Sequence, residues 1–342
     1  MSQFYAVNAK LKAMSKGFLS GNDYEALLSK NGVSGVCGYL KNNTVYSSVL
    51  AGVNEEDIHR TELEKLIEKE YYQEYIRIFK FIGLYERKVF NFYIISKEIE
   101  YIKYCVEKVF GKLGEGENTP PEPDEFFLSH TKLNLENLMK AEDFYSVMDA
   151  CRGSVYYNLL YREDATGLSP ETVVMMLEIY YYKLLWSEFE KFTDKQNKSD
   201  LTDLLGKKID LLNILWVYRC KKYFKISDEM IYTHIIPVNY KMTRENLADI
   251  VSGDISHLVN VVSGTRYGRL FDNIDSGAFP EENYKRIMYD ITRNKFLRSK
   301  GSMTVAVAYI MLKRNEMQNI KTITEGKRYS SNTDTIRELI VY

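Results

Sequence analysis

Histidine and cysteine, the side chains that most often carry chemistry, are few and scattered in this sequence. The four histidines (His59, His130, His234 and His257) stand singly, with no H-E-x-x-H pair and no cysteine at ligand spacing. The four cysteines form no C-x-x-C pair, which is typical of free thiols in a reducing compartment. We therefore expect no metal site and no cofactor.

The common phosphate-binding and hydrolase motifs do not occur either. The sequence has no G-x-x-x-x-G-K-[ST] and no G-x-S-x-G. A glycine-rich run at 111–116 leads into Pro120, Pro121 and Pro123 rather than into a helix start, whose backbone N–H groups could hold a phosphate. We interpret this run as a linker and predict that the chain is not an enzyme.

Composition narrows the class of protein further. The 342 residues include 46 Lys and Arg against 47 Asp and Glu, so a nucleic-acid partner is not expected. The chain is 45% hydrophobic and contains 28 tyrosines, which is ample material for packed cores. The longest apolar run, about 305–312, is far shorter than the ~20 residues of a membrane span, and the first residues lack the apolar segment of a secretory signal. We expect a soluble, intracellular chain.

Helical periodicity dominates, and no segment alternates in the manner of a strand. We therefore predict an all-α fold. Ser169-Pro170 and Pro280 are typical of helix starts. The predicted helices cover about 63–82, 170–192, 200–224, a short stretch from 228, a long one from 280, 303–323 and 334–342.

An ordered set of signals occurs three times along the chain. Tyr46, Tyr156 and Tyr267 follow one another at intervals of 110 and 111 residues, each close behind a Ser or Thr and ahead of apolar residues. Further along each copy an acid lies within a helix, at Glu98, Asp210 and Glu316. This repetition predicts three similar helical units. With the proline-rich stretch as a seam, the predicted domains are 1–116, a linker at 117–125, 126–236 and 237–342.

Four short segments carry a resemblance to a known family. They read Phe-Tyr-Ala at 4–6, Gly-Thr-Arg-Tyr-Gly at 264–268, Glu-x-x-Asn-Ile at 316–320 and Ile-Arg-Glu-Leu at 336–339. In this order, and with the triplication, they resemble the C subunit of the archaeal and bacterial A/V-type rotary ATPases, whose eukaryotic counterpart is the d subunit of the V-type ATPase.

The resemblance implies three helical domains that form a funnel around a pseudo-threefold axis. It implies a non-catalytic rotor part at the cytoplasmic face of the membrane, peripheral and without a span of its own. Its partners would be the D and F subunits of the central stalk and the membrane proteolipid ring, and its role would be to couple ATP hydrolysis or synthesis to proton or sodium-ion transport.

Seven residues are candidates for the interface with these partners. Three are the repeated acids, which would meet basic stalk side chains if they face a central cavity, or would otherwise lie on a solvated face or in an internal ion pair. The other four stand at or beside the repeated motifs: Asn213, Asn319, Arg266 and Arg269. The first copy departs from the pattern, because Tyr101 replaces the asparagine.

Two other classes compete with a rotor component. One is a cytosolic all-helical adaptor, unrelated to any motor, that holds peptides in a groove. The other is an enzyme, since Arg328-Tyr329 superficially resembles the tyrosine recombinases. That chemistry needs a basic DNA-binding surface, which the balanced charge opposes.

Overall fold

The structure is a computed structural model that describes residues 4–83, 86–87, 90–112, 123–161, 169–192, 194–224, 226–274 and 277–342. These residues form helices and no strands, which confirms the all-α prediction. Most of the linker at 117–125 lies outside the described residues, as does most of the glycine-rich run. The chain divides into two compact units, and each is built from several stretches of sequence.

The first unit comprises residues 1–86, 192–211 and 259–342. Its helices are α1 (Phe4–Met14), α2 (Gly21–Leu28), α3 (Gly32–Asn43), α4 (Ser47–Leu50), α5 (Arg60–Phe81), α16 (Pro280–Arg298), α17 (Thr304–Arg328) and α18 (Thr333–Leu339). The buried helix α17 is central, since α1, α3, α5, α16 and α18 all pack against it.

The second unit comprises residues 87–191 and 212–258. Its helices are α6 (Phe92–Val109), α7 (Glu125–His130), α8 (Leu135–Met139), α9 (Phe144–Ala150), α10 (Val155–Leu160), α11 (Pro170–Glu190), α13 (Asp228–Thr233) and α14 (Arg244–Ser252). Here α6 is central and packs against α8, α9 and α11. Two further helices, α12 (Lys195–Arg219) and α15 (Ile255–Ser263), begin in one unit and end in the other.

Helix starts agree with the capping residues in the sequence. Ser169 accepts a hydrogen bond from the Thr172 N–H ahead of Pro170, and α16 begins at Pro280. The helix predicted from Asp200 begins earlier, at Lys195, because the Asp194 carboxylate accepts the Asn197 N–H at 2.7 Å.

The last helix is shorter than predicted. The sequence pattern predicts a helix that reaches residue 342, but α18 ends at Leu339. The backbone of Val341 instead hydrogen-bonds to the Asn319 side chain, with its N–H at 3.1 Å from the amide oxygen and its carbonyl at 2.7 Å from the amide nitrogen. This side chain replaces the helical partners that residues 340–342 would otherwise need.

Candidate functional site

The three repeated tyrosines share one local geometry. In each copy the backbone N–H of the tyrosine donates to the hydroxyl of a Ser or Thr two residues earlier, at 3.1–3.2 Å. That hydroxyl in turn donates to a carbonyl three or four residues before it, at 2.6–2.7 Å. These local hydrogen bonds end the preceding helix and direct the tyrosine inward.

Each repeated tyrosine donates its hydroxyl to one of the repeated acids. The three tyrosine–carboxylate pairs, with oxygen–oxygen distances, are Tyr46–Glu316 at 2.8 Å, Tyr156–Glu98 at 2.9 Å and Tyr267–Asp210 at 2.6 Å. The tyrosines are at most 3% exposed and the acids at most 7%. The repeated acids therefore lie in the interior and form internal hydrogen bonds.

The pairs connect the three predicted repeats in cyclic order. Tyr156 of the second repeat bonds to Glu98 of the first, and Tyr267 of the third bonds to Asp210 of the second. Tyr46 of the first repeat bonds to Glu316 of the third. Each pair thus joins the late helix of one repeat to the early part of the next, and each lies within one compact unit.

Burial and the neighbouring carboxylate raise the pKa of two of these tyrosines. Desolvation raises the pKa of Tyr46 well above its usual value, and Glu316 raises that pKa further because a phenolate would repel the carboxylate. Burial first and Glu98 second raise the pKa of Tyr156 in the same way. Both phenols are therefore held as neutral hydrogen-bond donors, which suits a structural role.

The acids of two pairs accept further hydrogen bonds. Glu98 accepts from the Thr131 hydroxyl at 2.7 Å and from the Lys132 backbone N–H at 3.0 Å. Glu316 accepts from the Leu19 backbone N–H at 2.6 Å. Carboxylates saturated in this way fix backbone segments that would otherwise have no regular partner.

A buried charge cluster around Glu316 was not predicted. We call Lys313, Glu316, Glu74 and Glu70 the Lys313 cluster. The Lys313 ammonium is fully buried, lies 2.8 Å from Glu316 and 3.5 Å from Glu74, and stands 4.6 Å from the centre of the Tyr46 ring. Burial lowers the pKa of Lys313, but Glu316 and Glu74 outweigh this effect and leave the pKa above its ordinary value.

Two more hydrogen bonds attach the Lys313 cluster to its surroundings. Tyr309 donates its hydroxyl to Glu74 at 2.6 Å. Glu70 interacts with the half-exposed Arg77 at 3.3 Å. The sequence does hold a signal for these residues: Glu70, Glu74 and Lys313 stand at the three- and four-residue spacing of the apolar stripes on their helices.

The side chains of the two repeated asparagines hydrogen-bond to backbone groups. Asn213 binds both the N–H and the carbonyl of Ile236, at 2.9 and 3.0 Å, much as Asn319 binds Val341. In the first repeat Tyr101 instead stacks on Phe127, with ring centroids 5.4 Å apart. The departure seen in the sequence is thus a replacement of a hydrogen-bonded clamp by an aromatic contact.

Arg266 and Arg269 lie on the surface. Both are exposed, and Arg269 makes a surface ion pair with Asp290 at 3.3 Å. Exposed pairs of this kind contribute little to stability, so the guanidinium can exchange partners at small cost. Of the seven candidate interface residues, these two are the accessible ones.

The remaining reactive side chains are dispersed. The four cysteines (Cys37, Cys105, Cys151 and Cys220) are buried and free, and burial raises the pKa of Cys105 to about 11 and of Cys151 to about 12. Within the described ranges, no three His, Cys, Asp or Glu residues converge as a metal site would require. Among the same residues, no helix combines the length and apolarity needed to cross a membrane.

Comparison with known proteins gives a family match over nearly the whole sequence. A family described as ATP synthase (C/AC39) subunit matches residues 7–339. The chain is also similar to individual proteins named as the C subunit of an A-type ATP synthase. The one from Pyrococcus abyssi is 22% identical over 347 residues, covering 97% of this chain and 89% of that protein.

Two other relatives of the same name match over shorter lengths. The Methanosphaera stadtmanae protein is 23% identical over 61% of this chain, and the Methanobrevibacter smithii protein is 24% identical over 57%. These matches span only 57% and 53% of the two relatives' own lengths.

Proposed function

The chain belongs to the ATP synthase (C/AC39) subunit family, and we propose that it is a non-catalytic rotor component of an A/V-type ATPase. In this role it joins the rotating central stalk to the membrane proteolipid ring. ATP hydrolysis or synthesis is thereby linked to proton or sodium-ion transport. The observation that carries the proposal is the family match over residues 7–339.

The interior of the chain suits a part that transmits torque. Each tyrosine–carboxylate pair joins a long helix to the turn or short helix that carries the tyrosine, and the Lys313 cluster joins α5 to α17. Hydrogen bonds to ionised groups in a low-dielectric interior are strong and geometrically specific. Helices held in this way resist sliding past one another, as a shaft component requires.

We also propose that the chain contains three similar helical units, at 1–116, 126–236 and 237–342. Their support is the recurrence of the same Ser/Thr-x-Tyr geometry and the same tyrosine–carboxylate hydrogen bond in all three copies. The asparagine clamp recurs in the second and third copies.

The proposed partners are the D and F subunits of the central stalk and the proteolipid ring, at the cytoplasmic face of the membrane. We assign the exposed Arg266 and Arg269 to contacts with acidic side chains of a stalk protein. The buried acids and asparagines support the body that presents these arginines.

Affinity purification from detergent-solubilised membranes tests the assignment. A tagged copy of the chain should bring down the D and F subunits and the proteolipid, together with ATPase activity. Recovery of the chain alone, from the soluble fraction only, would support the helical adaptor instead and would contradict the rotor proposal.

A further inference from the structure

A cleft in the first unit is lined by aromatic, apolar and polar side chains. It has a volume of about 340 Å³, and its apolar lining includes Phe18, Leu19, Phe296 and Leu312. Tyr24 and Tyr342 also line it, stacked with ring centroids 4.3 Å apart. An open cleft of this size and composition can hold one large apolar side chain.

One cation lines this cleft and a second lies beside it, and neither has a carboxylate partner among the described residues. Arg293 lines the cleft and is exposed, and its guanidinium has no acceptor in the described part of the chain. Lys12 donates to the backbone carbonyl of Leu297, another lining residue, at 3.2 Å. Tyr289, one helical turn before Arg293, likewise has no described hydrogen-bond partner for its hydroxyl.

The acids near the cleft are already occupied. Glu316, which also lines the cleft, accepts hydrogen bonds from Leu19, Tyr46 and Lys313. Glu25 pairs with Arg337 and accepts from Tyr342. The available charge at the cleft is therefore positive, carried by Arg293 and Lys12.

We propose that this cleft docks a segment of a partner protein in which an apolar side chain stands next to an aspartate or glutamate. The apolar side chain packs against the aromatic walls, and the carboxylate bonds to the Arg293 guanidinium, which can bind it with two parallel N–H groups. The inference rests on the proposed function in one respect, because a rotor component works inside a protein assembly and its docking partner is taken to be a protein.

Calorimetric titration of the purified full chain tests this docking. The probes are a capped hexapeptide with a central Phe–Glu pair and the same peptide with Gln in place of Glu. The Phe–Glu peptide should bind roughly tenfold more tightly, and the difference should shrink as salt is added. Equal affinities, or no binding of either peptide, would overturn the proposal.

Matched variants locate the site. Arg293→Gln should remove the preference for the Phe–Glu peptide, whereas Arg298→Gln, the same change at an exposed position of the same helix, should preserve it. Lys12→Gln should weaken binding of the acidic peptide about threefold. If Arg298→Gln and Arg293→Gln have the same effect, the contact is non-specific and the proposal fails.

Two outcomes distinguish the docking proposal from self-association of the chain and from the rotor assignment. If the chain self-associates in sedimentation and Arg293→Gln disperses it, the occupant is a second copy, and a partner protein is excluded. The titration uses the isolated chain, so its failure leaves the rotor assignment in place. If peptide binding succeeds but the tagged chain recovers no motor proteins, the rotor assignment fails and the cleft remains a docking site.

Discussion

At the scale of single residues, the repeated tyrosines and the repeated acids are hydrogen-bonded to one another. The sequence places Tyr46, Tyr156 and Tyr267 at equivalent positions, and it does the same for the three acids. It does not show that each tyrosine bonds to the acid of the preceding repeat, because that pairing depends on which helices pack together. The three hydrogen bonds show that the repeated tyrosines and acids form the same contact in each copy.

Loss of one of these hydroxyls should weaken the fold. Tyr46→Phe leaves the ring in place but removes a hydrogen bond to the buried Glu316 carboxylate, so the free energy of unfolding should fall by about 2 kcal/mol. Urea unfolding followed by circular dichroism measures the change. Tyr329→Phe, at a position 65% exposed, is the control and should have almost no effect. Equal effects of the two changes would contradict the role assigned to Tyr46.

The Lys313 cluster was missed because charged residues on a helix are normally assigned to solvent. Glu70 and Glu74 lie on the same stripe as Leu63, Ile67 and Ile78, all of which are buried. One lysine and the part-exposed Arg77 face three carboxylates. An excess of buried negative charge makes this region sensitive to pH.

The pH dependence has a definite sign. Burial first and Glu74 second raise the pKa of Glu70 above its ordinary value of 4.5, although Lys313, Arg77 and Ser48 act in the opposite direction. The folded state therefore binds this proton more tightly than the unfolded chain, and the stability it contributes below about pH 4.5 is lost as pH rises through the raised pKa.

Glu70→Gln cannot lose that proton. Relative to the parent, its free energy of unfolding should increase as pH rises above about 4.5, through the raised pKa of Glu70. Chemical unfolding at a series of pH values checks this, with the exposed Glu56→Gln as the control. A parallel pH dependence in the parent and Glu70→Gln would show that the site does not titrate in this way.

At the scale of elements, helix starts could be predicted better than helix ends. Starts are encoded locally by a capping side chain and a proline, as at Ser169-Pro170. The end of α18 depends on Asn319, which is distant in sequence and reaches Val341 only after folding. Local patterns cannot report such a tertiary partner.

Two serines that precede helices make a matched test of capping. Ser169 accepts the Thr172 N–H, whereas the side chain of Ser227 makes no capping hydrogen bond. Ser169→Ala should lower the free energy of unfolding by about 1 kcal/mol, and Ser227→Ala should change it by much less. Thermal and urea unfolding of both variants measures the difference. The reverse order would contradict the capping geometry.

At the scale of the whole molecule, sequence and structure divide the chain differently. The predicted repeats rest on similarity along the sequence, whereas the two units describe packing, and each predicted repeat contributes residues to both units. The family named from a few short segments is the one that matches residues 7–339. The partner surfaces could not be predicted, since exposed residues carry little pattern.

The surface arginines should matter for assembly rather than for folding. Arg266→Glu combined with Arg269→Glu should weaken binding to a complex of the D and F subunits by at least tenfold while leaving the unfolding curve nearly unchanged. Surface-based binding kinetics with the purified complex provide the measurement. Arg298→Glu is the control, and an equal loss of binding there would remove the specific assignment of the two arginines.

Ion uptake into membrane vesicles tests the rotor assignment most directly. Vesicles that carry the other motor subunits but lack this chain should show no ATP-driven ion uptake. ATP hydrolysis should persist, at least on the released catalytic head. Addition of the purified chain should restore uptake together with hydrolysis that depends on the membrane ring. Uptake that continues unchanged in the absence of the chain would contradict the proposed coupling role.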